Sequence, residues 1–278
     1  EQAWRGSQGR PWNPGLVLYA LADGAFAVWD PHRNYWRSEH GVDMQERVPA
    51  YMFSSKEVWD GLDVKVDGKP TRVCNGLLTD WASWIRERGL DAQRMAAVLA
   101  LLGPSVGDGS LQPRSGFARL SIDDARDIPT VRTAYGQDVP ILYASLGVRR
   151  IAALAYVLSW AWREHLIAAE QLGEAPSSHV VLLFDEIEAH LHPRWQRAIA
   201  PALLKVVQTL TADEFAAVQL IAATHSPLVL ASVEPLFDTE NDKLIALELV
   251  EGTISLALDG LAKKTPLIAS AVRRQEAR

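Results

Sequence analysis

Five consecutive apolar residues, Val180-Val181-Leu182-Leu183-Phe184, run directly into two carboxylates, Asp185 and Glu186. Such a run predicts a strand over Val180–Phe184, buried on both faces, that delivers the acids at its C-terminal end. In open α/β sheets that edge is where ligands bind. Two adjacent carboxylates there can divide the work of a phosphoryl-transfer site. Asp185 offers the oxygen that a hard cation such as Mg2+ accepts, commonly through water. Glu186 can polarise the water that attacks a terminal phosphate. The same pair would also suit an acidic strand-end loop in which Asp185 caps a turn.

Two further signals carry the same chemistry. Ala222-Ala223-Thr224-His225-Ser226-Pro227 follows the next apolar run, so His225 is expected on the same sheet edge, able to donate a hydrogen bond to a phosphate oxygen. Tyr143-Ala144-Ser145-Leu146-Gly147-Val148-Arg149-Arg150 opens a long apolar segment. Ser145 is a good N-cap, and a Ser-x-Gly turn before a helix leaves backbone N–H groups and the positive dipole end for an anion. A plain capped helix with two solvated arginines would use the same residues.

The elements that must hold these groups follow an α/β rhythm in the last third of the chain. A strand over Val180–Phe184 precedes a helix opened by Pro193 and running to about Leu210. A second buried strand, Leu220–Ala223, comes next, and strand–helix–strand with short links implies parallel pairing. A helix from Gly147 to about Gln171, closed by Gly173, precedes them, and Leu244–Val250 with Thr253–Leu258 reads as a closing hairpin. Upstream, Leu16–Ala22 and Ala25–Trp29 flank Asp23-Gly24, a hairpin signal. Val48–Phe53 reads as a strand, Ser54 and Ser55 cap a helical turn, and two helices joined near Gly89 lie between Gly76 and Leu102. Gly103–Gly116 reads as a linker, followed by strands over Phe117–Ile122 and Val139–Ala144.

Composition sets the limits. The 278 residues are 48% apolar and 22% charged, enough for a sizeable core. A net charge of −6 excludes a globally basic nucleic-acid coat. The single cysteine, Cys74, excludes an internal disulfide framework and fits a reducing, cytoplasmic setting. The apolar run Ile151–Trp162 is too short to cross a bilayer and reads as a buried helix. Seven of the ten tryptophans precede residue 85 and are expected to pack the core rather than stack on bases.

The order of the three motifs resembles the C-terminal half of an ABC-type ATPase head. It is most similar to bacterial AAA-family predicted ATP-binding proteins of the soluble SMC-like and OLD-like (overcoming lysogenization defect) branch. The resemblance implies a P-loop NTPase fold: a parallel sheet core with an antiparallel β lobe and a helical lobe. It divides the chain into a β-rich lobe segment at 1–75, a helical segment and linker at 76–116, and an ATPase core at 117–278. Asp185 and Glu186 then match Walker B, with Asp185 holding Mg2+ through water and Glu186 as the catalytic base. His225 matches the catalytic switch histidine. Ser145 and Gly147 match the signature that meets a nucleotide bound by the opposite protomer. Glu188 and His192 fall in the D-loop region, which in these relatives often reads Glu-x-x-Leu-His-Pro. The implied substrate is ATP, and the implied partners are a second copy of the chain, a nuclease or other effector, and DNA, though no basic stripe supports DNA contact. The implied processes are DNA repair or defence against phage and mobile elements.

The sequence departs from the family in two places: the signature has Leu146 and Val148 where transporters carry Gly and Gln, which points toward the soluble branch, and no Gly-x-x-x-x-Gly-Lys-Ser/Thr occurs. Gly68-Lys69 is followed by Pro70-Thr71 and reads as a polar turn. Together with Glu1 in place of Met, this leads to the expectation that the phosphate loop lies upstream and that the 278 residues alone are inactive. A degenerate dimerisation or regulatory module is the non-enzymatic alternative. A metal hydrolase built on His190-x-His192 with Asp185, Glu186 and Glu188 is the enzymatic rival.

Overall fold

A computed structural model describes residues 13–34, 38–39, 42–43, 50–66, 68–103, 111–133, 136–211, 217–250 and 253–258. The described residues open with β1 (Leu16–Ala20) and β2 (Phe26–Trp29), the hairpin that Asp23-Gly24 predicts. β3 (Tyr51–Phe53) pairs with β2, and α1 (Ser55–Asp60) follows. A capping box starts α1: Ser54 Oγ accepts from the Glu57 backbone N–H, and the Glu57 carboxylate accepts from the Ser54 N–H.

β4 (Leu62–Val66) and β5 (Lys69–Cys74) form a hairpin with Gly68 in its turn, while Lys69 and Pro70 are strand residues paired with Val66 and Lys65. α2 (Leu77–Glu87) and α3 (Leu90–Leu102) are the two helices expected on either side of Gly89. Next come β6 (Gln112–Ala118), β7 (Ile128–Arg132) and β8 (Asp138–Pro140), a small antiparallel sheet. β6 begins inside the segment read as linker, and Ile141–Tyr143 is a 3₁₀ turn rather than strand. Residues 104–110 of that linker lie outside the described residues.

α4 (Leu146–Leu172) is the long helix; Ser145 caps its start and Gly173 closes it in the left-handed conformation at φ 67°. β9 (His179–Phe184) carries the acids. The helix expected from Pro193 to Leu210 is broken at residues 197–198 into α5 (Pro193–Gln196) and α6 (Ile199–Thr211). β10 (Ala217–Ala222), α7 (Pro227–Val233) and the hairpin β11 (Ile245–Val250) and β12 (Thr253–Leu258) complete the described chain.

The main sheet has the order β10–β9–β1–β2–β3. β1, β9 and β10 are parallel, while β2 and β3 extend the sheet in antiparallel fashion. This mixed α/β architecture contains the parallel core that the sequence implies. It also moves a boundary: β1 lies beside the acid-bearing strand, so the first hairpin belongs to the core sheet and not to a lobe confined to 1–75. Its alternation of buried Leu16, Leu18 and Ala20 with half-buried Val17 and Tyr19 is compatible with either placement, which is why the sequence does not decide it.

The expected two-faced burial of β9 is also corrected. Val180, Leu182 and Phe184 are buried, whereas Val181 and Leu183 are half-buried. α4 and α6 cover one face, where Leu158, Trp162, Val207 and Leu210 meet Leu16, Leu18, Val180 and Leu182. β10 is not a buried strand: among the described residues it pairs with β9 alone at the edge of the sheet, and Ile221 on it is 52% exposed. Among the described residues no helix is long and apolar enough to cross a membrane.

One polar chain runs through this core. Tyr156 on α4 donates to Asp80 Oδ2 on α2 at 2.7 Å, and Asn75 Nδ2 donates to the other oxygen at 2.9 Å. The phenol has a single proton, so Cys74, with Sγ at 3.0 Å, is the donor to the phenolic oxygen. Burial pushes the Cys74 thiol up to about 11, with nearby Asp80 and Glu164 adding to the effect. Native protein is therefore expected to resist thiol reagents at pH 8 and to react stoichiometrically once denatured. A titration with a chromogenic disulfide in the presence and absence of denaturant checks this.

Candidate functional site

The register of the three parallel strands sets the site. Ala20, Phe184 and Ala222 are aligned neighbours, so the residues after them share one carboxyl edge. Backbone bonds continue past the strands: Asp185 N–H donates to Ala20 O at 2.9 Å, Ala223 N–H to Phe184 O at 2.9 Å, and Ile187 N–H to Ala223 O at 3.2 Å. Asp185 and Glu186 are thereby brought to the same edge as Thr224 and His225, as the motif order predicts. Asp185 is half-buried and Glu186 exposed.

The loop after β9 is strained. Glu186 and His190 have φ of 49° and 61°, two of the three non-glycine residues with positive φ among the described residues. Side chains rarely adopt this region, and such strain gathers at functional sites. The conformation turns the chain sharply after Asp185, with Ala189 N–H donating to Glu186 O at 2.8 Å and Leu191 N–H to Glu188 O at 3.0 Å.

Glu188, read from the sequence as part of the D-loop region and of the metal-hydrolase alternative, is the joint of the site. It is 6% exposed, and its carboxylate accepts Thr224 Oγ1–H at 2.5 Å and the His225 backbone N–H at 2.8 Å. His225 Nδ1 lies 3.1 Å from the same Oε1, while the His225 side chain is 77% exposed. One buried carboxylate thus ties the loop of β10 to the loop of β9. Ser226 continues the link by donating to Gln196 Oε1 at 2.8 Å and capping α7 through Leu228 N–H. No spacing rule singles out Glu188, because its partners are supplied by parallel pairing across 36 residues.

His192 has a local task. It is exposed, and its Nδ1 accepts from the Arg194 N–H at 3.3 Å, capping α5 with Pro193 at the first helical position. Ser145 is exposed and accepts from the Val148 N–H at 3.4 Å. Gly147 is buried, and a Cβ there would meet the His190 carbonyl oxygen at 2.9 Å. Gly147 therefore lets the start of α4 approach the strained loop of its own chain, a packing demand the sequence alone does not reveal. Gly147→Ala is expected to cost about 1–3 kcal/mol by overpacking, read as a lower urea midpoint at unchanged slope.

Arg150 fixes α4 to the end of β1: its guanidinium donates to Ala22 O at 2.7 Å and Leu21 O at 3.2 Å. Burial lowers its pKa, opposed by the charges of Asp23 and Glu186. The structure thus brings Asp185, Glu186, Glu188 and His225 to one edge and sets Gly147 against the His190 carbonyl of the loop after β9, while Ser145 and His192 make only local capping contacts.

The donor set fits Mg2+ better than zinc. Asp185 and Glu186 supply hard carboxylate oxygens, and a magnesium ion is commonly held by one or two such groups with water and substrate phosphates. Among the described residues no three His, Cys, Asp or Glu side chains form a group that could hold a metal ion. The hydrolase built on His190 and His192 has no such support.

Known proteins resemble the chain over this region. Residues 118–231 match the family described as "AAA domain, putative AbiEii toxin, Type IV TA system". The Retron Vc95 probable ATPase of Vibrio cholerae serotype O1 biovar El Tor is 35% identical over 98 residues, covering 35% of this chain and 17% of that protein. The Retron Ec83 probable ATPase of Escherichia coli is 30% identical over 119 residues, covering 43% of this chain and 20% of that protein. The matched stretch is thus a fifth or less of the length of those relatives. Among solved structures, one from work on ATP-driven dimerization and DNA-stimulated activation of SMC ATPases aligns with a TM-score of 0.40 at 19% identity, covering 70% of this chain and 96% of that one. The SMC head domain from Thermotoga maritima aligns with a TM-score of 0.33 at 12% identity, covering 84% and 73%. The motif-based resemblance to bacterial AAA-family ATPases is borne out by the family match over residues 118–231 and by the similarity to the retron probable ATPases.

Proposed function

We propose that the chain carries the hydrolytic part of an ATPase head, of the kind that binds ATP between two copies. The observation that carries this reading is the common edge: Asp185, Glu186 and His225 follow strands ending in register at Phe184 and Ala222. Asp185 would hold Mg2+, which when bound would offset the negative charge of the phosphates. Glu186 takes the proton of the attacking water, and its exposure leaves it open to that water. His225 contacts the terminal phosphate from the neighbouring strand.

The start of α4 serves the nucleotide of a second copy. Ser145 is exposed there, flanked by Tyr143 at 66% and Leu146 at 50% exposure. Large side chains around an exposed hydroxyl and a helix N-terminus suit a surface that is covered in a dimer. No Gly-x-x-x-x-Gly-Lys-Ser/Thr occurs in the 278 residues, so the reading covers the hydrolytic residues and not a phosphate-binding loop. The retron relatives and the toxin–antitoxin family description favour a role in defence against phage or mobile elements.

The test is Mg2+-dependent ATP hydrolysis by the full-length gene product, with Asp185→Asn as the paired variant. Turnover that depends on Mg2+ and falls in Asp185→Asn supports the reading. ATP binding without hydrolysis would instead identify a regulatory module.

A further inference from the structure

We propose that Thr224 and Glu188 are positioning residues for Glu186: their bond across the two strand-end loops holds the Glu186 backbone in its left-handed conformation and so aims its carboxylate. The role rests on the reading of Glu186 as the base; the geometry behind it does not. Asp185 N–H donates to Ala20 O on the β1 side of β9, whereas Ile187 N–H donates to Ala223 O on the β10 side. In a continued strand the N–H groups of residues two apart face the same neighbour. The chain therefore reverses its bonding direction at Glu186, and the φ of 49° there is that reversal. A glutamate adopts this region only where its surroundings hold it.

What holds it is a seam of three bonds. Ile187 N–H reaches Ala223 O at 3.2 Å, and the Glu188 carboxylate accepts the Thr224 hydroxyl at 2.5 Å and the His225 N–H at 2.8 Å. Two adjacent residues of one loop thus grip three consecutive residues of the other. Ile187 and Glu188 are 2% and 6% exposed, so water does not replace these bonds. Thr224 is fixed in turn, because its hydroxyl oxygen accepts the Ser226 N–H at 3.1 Å. Glu186 itself lies outside the seam: its side chain is exposed and has no hydrogen-bond partner among the described residues. A side chain without a partner is directed by its own backbone, so the seam decides where that carboxylate points. Thr224→Val keeps the shape of the side chain, leaves one buried oxygen of Glu188 unpaired and lets Glu186 relax toward negative φ.

Native-state amide exchange of the full-length gene product, without nucleotide, reads the seam, and single-turnover ATP hydrolysis reads its effect on the base. In the wild-type protein the Ile187 and His225 amides are expected to open as one unit, with the same dependence on urea. In Thr224→Val both should exchange faster by about tenfold or more, while the amides of α6 keep their rates. The single-turnover rate constant should fall by about 10–100-fold with nucleotide affinity unchanged. Thr224→Ser, which keeps the hydroxyl, should restore both readouts. Wild-type amides that open independently overturn the proposal. So does a folded Thr224→Val protein whose rate constant stays at the wild-type value, since a merely structural seam loosens without touching the chemistry. If Thr224→Val does not fold, Glu188→Gln, which offers one acceptor to two donors, is read by the same criteria. Failure of the base reading is a separate result: turnover that Glu186→Gln leaves intact removes the base, and this role with it, whatever the amides show.

Discussion

Glu186→Gln is expected to lower ATP turnover of the full-length gene product by about 10²–10⁴-fold while ATP binding persists. The substitution keeps the shape of the side chain and removes its ability to take a proton. It also leaves the fold alone. The Glu186 side chain is exposed and makes no hydrogen bond among the described residues; the stabilising contact of this residue is its backbone carbonyl, which accepts from Ala189 N–H at 2.8 Å. The φ of 49° is as strained for Gln as for Glu, so the loop geometry is carried over unchanged. Single-turnover hydrolysis and nucleotide affinity, measured side by side, separate the chemical step from binding. A loss in the rate constant with unchanged affinity places Glu186 in the chemistry. A variant that hydrolyses ATP within tenfold of wild type would sink the role of Glu186 as base. The paired prediction for Asp185→Asn differs in kind: its half-buried carboxylate is assigned to the metal, so its loss should raise the Mg2+ requirement as well as slow turnover.

The parts legible in the sequence were those governed by local rules. The Val180–Phe184 run, the Ser145 and Gly173 caps, the Asp23-Gly24 hairpin and the helices flanking Gly89 depend on neighbouring residues alone, and each is found. What could not be read depends on pairing between distant segments. Leu16–Ala20 enters the core through five partners on β9 that lie more than 160 residues away. Leu220 sits in an edge strand, and no property of its own sequence tells an edge from a centre. The candidate site follows the same division. Asp185, Glu186 and His225 are visible because strand ends and motif order mark them. Glu188 is marked there by the D-loop pattern, but its bonds to Thr224 and His225 are not, and Gly147 looks like an anion-binding glycine until the His190 carbonyl is seen beside it.

Alkaline pH is expected to weaken the folded state earlier than its surface charges require, through the core chain of Cys74, Tyr156 and Asp80. Folding holds the Cys74 thiol at about 11 against an ordinary value of 9.0, mainly by burial. Burial also holds the Tyr156 phenol well above its ordinary 10.0, with Cys74 and Asp80 adding to it. Above each ordinary value the unfolded chain has released the proton and the folded chain has not, so stability falls as pH rises. The loss through Cys74 begins near pH 9 and is complete near 11, amounting to about 3 kcal/mol for a two-unit shift. The loss through Tyr156 begins near pH 10 and continues upward. Urea unfolding of wild type, Cys74→Ala and Tyr156→Phe between pH 7 and 11 separates the two. Cys74→Ala should flatten the fall between pH 9 and 10 and leave the steeper part. Tyr156→Phe should flatten the steeper part, at a neutral-pH cost of about 1–3 kcal/mol because the buried Asp80 carboxylate loses a donor. If all three profiles run parallel, the polar chain does not control the alkaline limb. The place of Tyr156 gives the result a functional edge. It lies on α4, whose first turn carries Ser145 and Gly147, so ionisation that drives α4 from α2 and β5 would also loosen the helix presented to a second copy.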